Sequence, residues 1–139
     1  MLDRYPALRL TSLECGHGWL ASWAARLDEQ AEMSRHVLPV LARRPSDYIR
    51  GPQYFQSIQL HEGEQSLRHA IEALGEDTFM LATDYPHAKS WFPKSVETFL
   101  GWTSIPETAR RKLLWDNAVR CYRRFGRTPR PSAGGGDEP

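Results

Sequence analysis

A chain of 139 residues with 40% hydrophobic and 25% charged residues can bury the core of one globular domain. Its formal net charge of +1 makes no electrostatic case for a nucleic-acid or strongly acidic partner. Cys15 and Cys121 stand far apart outside any pairing motif, no basic and apolar leader opens the sequence, and no apolar run is long enough to span a bilayer. Free thiols, a cytoplasmic location and no membrane partner are therefore expected.

In chain order, residues 8–14 (Leu-Arg-Leu-Thr-Ser-Leu-Glu) read as a strand, broken by Cys15-Gly16-His17-Gly18. Residues 19–35 read as a helix with Trp19, Trp23 and Leu27 on one face and Leu20, Ala24 and Ala31 beside them. Residues 43–47 read as a loop and 47–50 as a short helical turn. Residues 53–60 alternate enough for a second strand. A helix over 64–74 buries Leu67, Ala70, Ile71 and Leu74, and Gly75 ends it. The run 78–83 (Thr-Phe-Met-Leu-Ala-Thr) is continuously apolar at its centre, as in a strand covered on both faces, and it stops at Asp84-Tyr85-Pro86-His87. A short helix over 94–100 buries Val96, Phe99 and Leu100. Ser104 and Glu107 have the spacing of a capping box, with Pro106 inside it, and open a last helix that runs to about Arg124. That helix buries Leu113, Leu114, Ala118, Val119 and Tyr122. Residues 126–139 lack apolar periodicity and are expected to be disordered.

Strands that alternate with helices argue for βαβ units, parallel pairing and an α/β fold. Parallel strands deliver their last side chains to one edge of the sheet, where such folds keep their sites. Here those groups are Glu14 with His17, His61 with Glu62, and Asp84 with His87. Carboxylates and neutral imidazoles both ligate divalent metals, so Glu14, His17, His61, Asp84 and His87 are candidate ligands. No HxH or HxxxH spacing singles any of them out. Turn chemistry explains Asp84 and Pro86 equally well, an exposed loop position explains each histidine, and an arginine partner would explain Glu14. Cys15 reads more simply as a small packed residue than as a nucleophile. The basic last helix, with Arg110, Arg111, Lys112, Arg120, Arg123 and Arg124, has apolar residues at core spacing and acidic neighbours Glu107 and Asp116. It reads as a solvated face rather than a nucleic-acid surface.

Several segments, in order, resemble the amidohydrolase-related family of metal-dependent hydrolases and decarboxylases. They are Leu2-Asp3-Arg4-Tyr5-Pro6, Leu13-Glu14-Cys15-Gly16-His17-Gly18-Trp19, Arg26-Leu27-Asp28-Glu29, Ala82-Thr83-Asp84-Tyr85-Pro86-His87, Phe92-Pro93 and Leu114-Trp115-Asp116-Asn117-Ala118. The resemblance implies a (β/α)8 barrel, which takes about 250 residues, so residues 1–125 would form its last three βα units. It implies a divalent metal, Zn²⁺ first and Mn²⁺ as the alternative, and a small organic substrate that is hydrolysed or decarboxylated. Asp84 matches the eighth-strand aspartate that ligates the metal or acts as base beside it. Glu14 falls where several family decarboxylases carry a catalytic histidine. His87 and His17 are placed as substrate-contacting residues. The family's HxH pair and middle-strand histidine have no counterpart in this sequence. A non-catalytic module that keeps the fold without the metal site is therefore the alternative. Unpaired strand edges would favour self-association or pairing with a chain that supplies an N-terminal half.

Overall fold

The computed structural model describes residues 1–37, 39–87 and 90–124. Strand β1 (Leu10–Ser12) leads to helices α1 (Leu20–Met33) and α2 (Pro45–Ile49). Strand β2 (Tyr54–Ile58), helix α3 (Gly63–Leu74) and strand β3 (Phe79–Leu81) follow, then α4 (Ser95–Leu100), α5 (Glu107–Arg111) and α6 (Asn117–Cys121). A π-helical segment, Lys112–Asp116, joins α5 to α6. The strands form one sheet in the order β1-β2-β3, and both pairings are parallel. The expected α/β arrangement with parallel strands is therefore present. The expected tail, 126–139, lies outside the described residues.

Register fixes the two faces. Tyr54 and Ile58 of β2 share a face with Phe79 of β3, and this face packs on Leu20 and Ala24 of α1, Leu67, Ala70 and Leu74 of α3, and Leu113 of the π segment. The opposite face carries Phe55 and Met80, which pack on Cys121 and Ala118 of α6. All five residues of β2 are buried, as expected for a central strand covered on both sides. Each large apolar side chain removed from water contributes roughly 1.5–3 kcal/mol, so these two clusters supply most of the cohesion.

The strands are shorter than the sequence predicts. Among the described residues β1 and β3 each pair on one side only, and their chains turn away at Glu14 and Asp84, both in the left-handed region at φ 58° and 57°. Helix α2 starts at Pro45, inside the expected loop, because Asp47 accepts the Arg44 amide at 3.2 Å and Pro45 is preset for a first helical position. The Ser104–Glu107 capping box does not form. The Ser104 amide instead donates to the Glu64 carboxylate of α3, and Glu107 pairs with Arg110. Trp19 and Trp23 stay 39% and 48% exposed, while Leu20 and Ala24 take the core side of α1. Val96, Leu100 and Tyr122 are also exposed rather than buried. In each case periodicity identified an amphipathic helix, and the neighbouring elements chose which side of it to cover.

One buried amide fastens the last helical run to the sheet. Asn117 is fully buried and donates through Nδ2 to the carbonyls of Glu76 at 2.7 Å and Phe79 at 2.8 Å. Phe79 opens β3, so this side chain ties the last helical run to the start of that strand. Asn117→Ala leaves two carbonyls without partners and should destabilise the fold by roughly 2–4 kcal/mol in urea unfolding.

Candidate active site

The cleft of interest lies at the carboxyl ends of the strands. Alternation along β1, β2 and β3 places Leu13, Ser57 and Ala82 on the same face as Phe55 and Met80, one step nearer the strand ends. Phe55 and Met80 are plugged by α6. The smaller Ser57 and Ala82 leave a cleft of about 540 Å³ above them. By strict alternation Glu14 would point away from Leu13. Its left-handed backbone ends the alternation, and Glu14 joins Leu13 in the cleft wall. Asp84 enters from β3 with the same backbone sign.

Asp84 is tied to the loop that follows it. The His87 amide donates to the Asp84 carbonyl at 2.9 Å, and His87 Nδ1 lies 3.3 Å from Asp84 Oδ2. Ser90 Oγ donates to the Thr83 carbonyl at 2.7 Å and accepts the Phe92 amide at 3.1 Å. Glu14, Asp84 and His87 thus each bring one ligand atom to within 4.8 Å of the others. Two carboxylate oxygens and one imidazole nitrogen suit a divalent cation such as Zn²⁺ or Mn²⁺, whose charge would offset the two acids. His61, Tyr85 and Trp91 complete the walls. The Ser57 hydroxyl is buried in this wall with no hydrogen-bond partner among the described residues, an uncommon state for a polar atom. The sequence did not single out Ser57. Its signal, a small hydroxyl at an inward-facing strand position, acquires meaning only once the register is known.

His17, grouped with the strand-end residues by sequence, lies outside this cleft. It is fully buried, and its Nδ1 lies 2.9 Å from Glu62 Oε2. The Gln59 amide also approaches Nδ1, at 3.3 Å. One nitrogen cannot donate and accept at once, and the shorter contact to a carboxylate is the stronger. Nδ1 therefore carries the proton and donates to Glu62. Burial lowers the His17 pKa below its ordinary 6.5, against the raising effect of Glu62 and with a smaller lowering effect of His61. Glu14 has no arginine partner among the described residues and is exposed.

The amidohydrolase family model matches residues 1–124. The chain belongs to the amidohydrolase family. It is similar to a gamma-resorcylate decarboxylase of Polaromonas sp., with 28% identity over an alignment 130 positions long that covers 88% of this chain and 36% of the relative. Among solved structures it resembles 5-carboxyvanillate decarboxylase of Sphingomonas paucimobilis, with a TM-score of 0.72, 28% identity, and 88% of this chain aligned to 36% of that one. It also resembles a dihydroxybenzoic acid decarboxylase of Polaromonas sp. solved with manganese and the inhibitor 2-nitroresorcinol, with a TM-score of 0.66, 25% identity, and coverage of 91% and 37%. This amidohydrolase-family chain thus spans little more than a third of the length of the relatives it matches.

The buried His17 makes stability pH-dependent in one direction. Its folded pKa lies below the unfolded value, so the unfolded chain binds more protons as pH falls through the unfolded pKa. Stability from this group is complete above the unfolded pKa and is lost below it. Urea midpoints should fall between about pH 7.5 and 5.5, and His17→Gln should flatten that fall.

Proposed function

We propose that this chain contributes the Asp84 side of the active site in a metal-dependent enzyme of the amidohydrolase family. The reaction is carried out on a small organic acid, and decarboxylation is favoured over hydrolysis. The observation that carries this reading is the convergence of Glu14, Asp84 and His87 on one point at the strand ends. The decarboxylase relatives support the reaction type, and the manganese in one of them supports a divalent cation.

In this reading the three strands are the last βα units of a (β/α)8 barrel. Asp84, Glu14 and His87 would hold the cation, which when bound supplies Lewis-acid charge to polarise the substrate's oxygen. The chain's own groups do the rest. Asp84, protonated from solvent water, would deliver that proton to the carbon that loses carboxylate, so that carbon dioxide leaves with the C–C bond broken, a C–H bond formed and Asp84 again ionised. Trp91 and Tyr85 provide aromatic walls for a flat substrate. The unpartnered Ser57 hydroxyl is available to a polar substituent. His87 is the more exposed of its pair with Asp84, at 68% against 23%, and stands on the solvent side of the cleft. His17 has no access to substrate from its buried place.

The alternative is a non-catalytic module that keeps the fold without holding a metal. Metal binding separates the two. The catalytic reading expects Mn²⁺ to bind near one equivalent, measured by calorimetry or by the paramagnetic signal of the free ion. Asp84→Ala should abolish that binding while circular dichroism stays unchanged. Failure of the parent chain to bind Mn²⁺ or Zn²⁺ would favour the module.

We further expect the chain to associate through its sheet edges. β1 has one neighbour strand, and an apolar groove of about 530 Å³ lined by Leu10, Trp19, Trp23 and Leu41 runs beside it. Exposed edges and apolar patches recruit other chains. Size-exclusion with light scattering should show mass rising with concentration, and a monomer at every concentration would contradict this.

A further inference from the structure

Glu62 faces away from the cleft, yet it grips the turn that carries Glu14. Its Oε2 accepts the amides of His17 at 2.5 Å and Gly18 at 3.0 Å and lies 2.9 Å from His17 Nδ1. The grip is tight. Gly16 has φ +72°, and a Cβ built there would overlap Glu62 Oε1. A second hold comes from β2. Gln56, fully buried, donates to the Gly16 carbonyl, and its own oxygen accepts from Tyr54 Oη at 2.8 Å, which in turn meets Ser12 Oγ at 2.8 Å. The residue that benefits is Glu14, two positions before Gly16, in a left-handed conformation that a non-glycine residue holds only when its surroundings impose it. Strand alternation alone would send its carboxylate to the helix side of the sheet.

We propose that Glu62 is a positioning residue for the cleft: by holding the His17 and Gly18 amides from the neighbouring βα unit, it keeps Glu14 in the left-handed turn that brings its carboxylate beside Asp84. Glu62 touches neither substrate nor cation. It acts across a sequence separation of 44 residues from Gly18, so the placement of one strand's acid depends on the loop of the next strand. Gln56 holds the same turn from below and limits how far it can move. The proposal stands on this geometry, and only its metal readout rests on the reading of Glu14 as a cation ligand.

The test uses the full chain with Glu62→Ala, Glu62→Gln and Glu62→Asp. Circular dichroism and thermal unfolding first establish that each variant is folded. The backbone of Glu14 is then read by NMR, where a strong intraresidue HN–Hα Overhauser effect marks positive φ. Glu62→Gln keeps an oxygen that can accept both amides and should keep the effect. Glu62→Ala should lose it, and Mn²⁺ affinity should fall by roughly 10–100-fold, as for other groups that orient a ligand without touching the metal. Should Glu62→Ala not fold, Glu62→Asp withdraws the carboxylate by one methylene and should show the same two losses. A folded Ala or Asp variant that keeps the Glu14 signal, with a lower melting temperature alone, overturns the proposal. If the parent chain binds no Mn²⁺, the metal reading fails by itself, and the Overhauser effect still decides whether Glu62 sets the turn.

Discussion

The structure depends on covering both faces of β2. A central parallel strand with five consecutive buried residues has no solvent-facing side to relax into. It is stable only where helices lie on one face and something else closes the other. Helices α1 and α3 and the π segment cover the face of Tyr54 and Ile58. Helix α6 covers Phe55 on the opposite face. The π segment matters here, because an extra residue in a helical turn shifts the phase of everything after it. Leu113 then serves the helix-side core, Asn117 reaches the start of β3, and Ala118 and Cys121 reach the far face, all within nine residues of one helical run.

That arrangement also creates the cleft. On β2 and β3 the large Phe55 and Met80 fill this face near the strand starts, and the small Ser57 and Ala82 lie nearer the strand ends, so packing thins where Glu14 and Asp84 stand. Both acids leave their strands through a left-handed residue. The two positions are held by different means. Asp84 is held by its own following loop, through His87, Thr83 and Ser90. Glu14 is held from the neighbouring unit, through Glu62 and Gln56. Local sequence is enough to understand the first and not the second.

Much of the candidate site was legible. An apolar run that ends in an acid, an aromatic, a proline and a histidine pointed to Asp84 and His87, and strand–helix alternation placed Glu14 on the same edge. Parallel strands make such groups neighbours whatever their sequence distance. The two other strand-end histidines were harder. His61 reached the cleft wall, and His17, from the same short segment as Glu14, was drawn under the loop to face Glu62. Nothing in Gly16-His17-Gly18 states which way the imidazole points, since glycines on both sides permit several backbone paths. Ser57 and the Asn117 amide were illegible for a related reason: each is an ordinary polar residue until the strand beside it is known.

By itself the sequence determined the class of the fold, the order of its elements, the apolar face of α3, and the family to which the chain belongs. These follow from periodicity, turn residues and the ordered agreement of short segments, which are all local properties of the chain. Only the tertiary structure decided which faces of α1 and α4 are buried, how short the edge strands are, where the last helix changes pitch, and which strand-end groups share one point. Those outcomes depend on contacts between residues tens of positions apart, where packing and the pairing of buried polar groups select one arrangement from several that local preference allows.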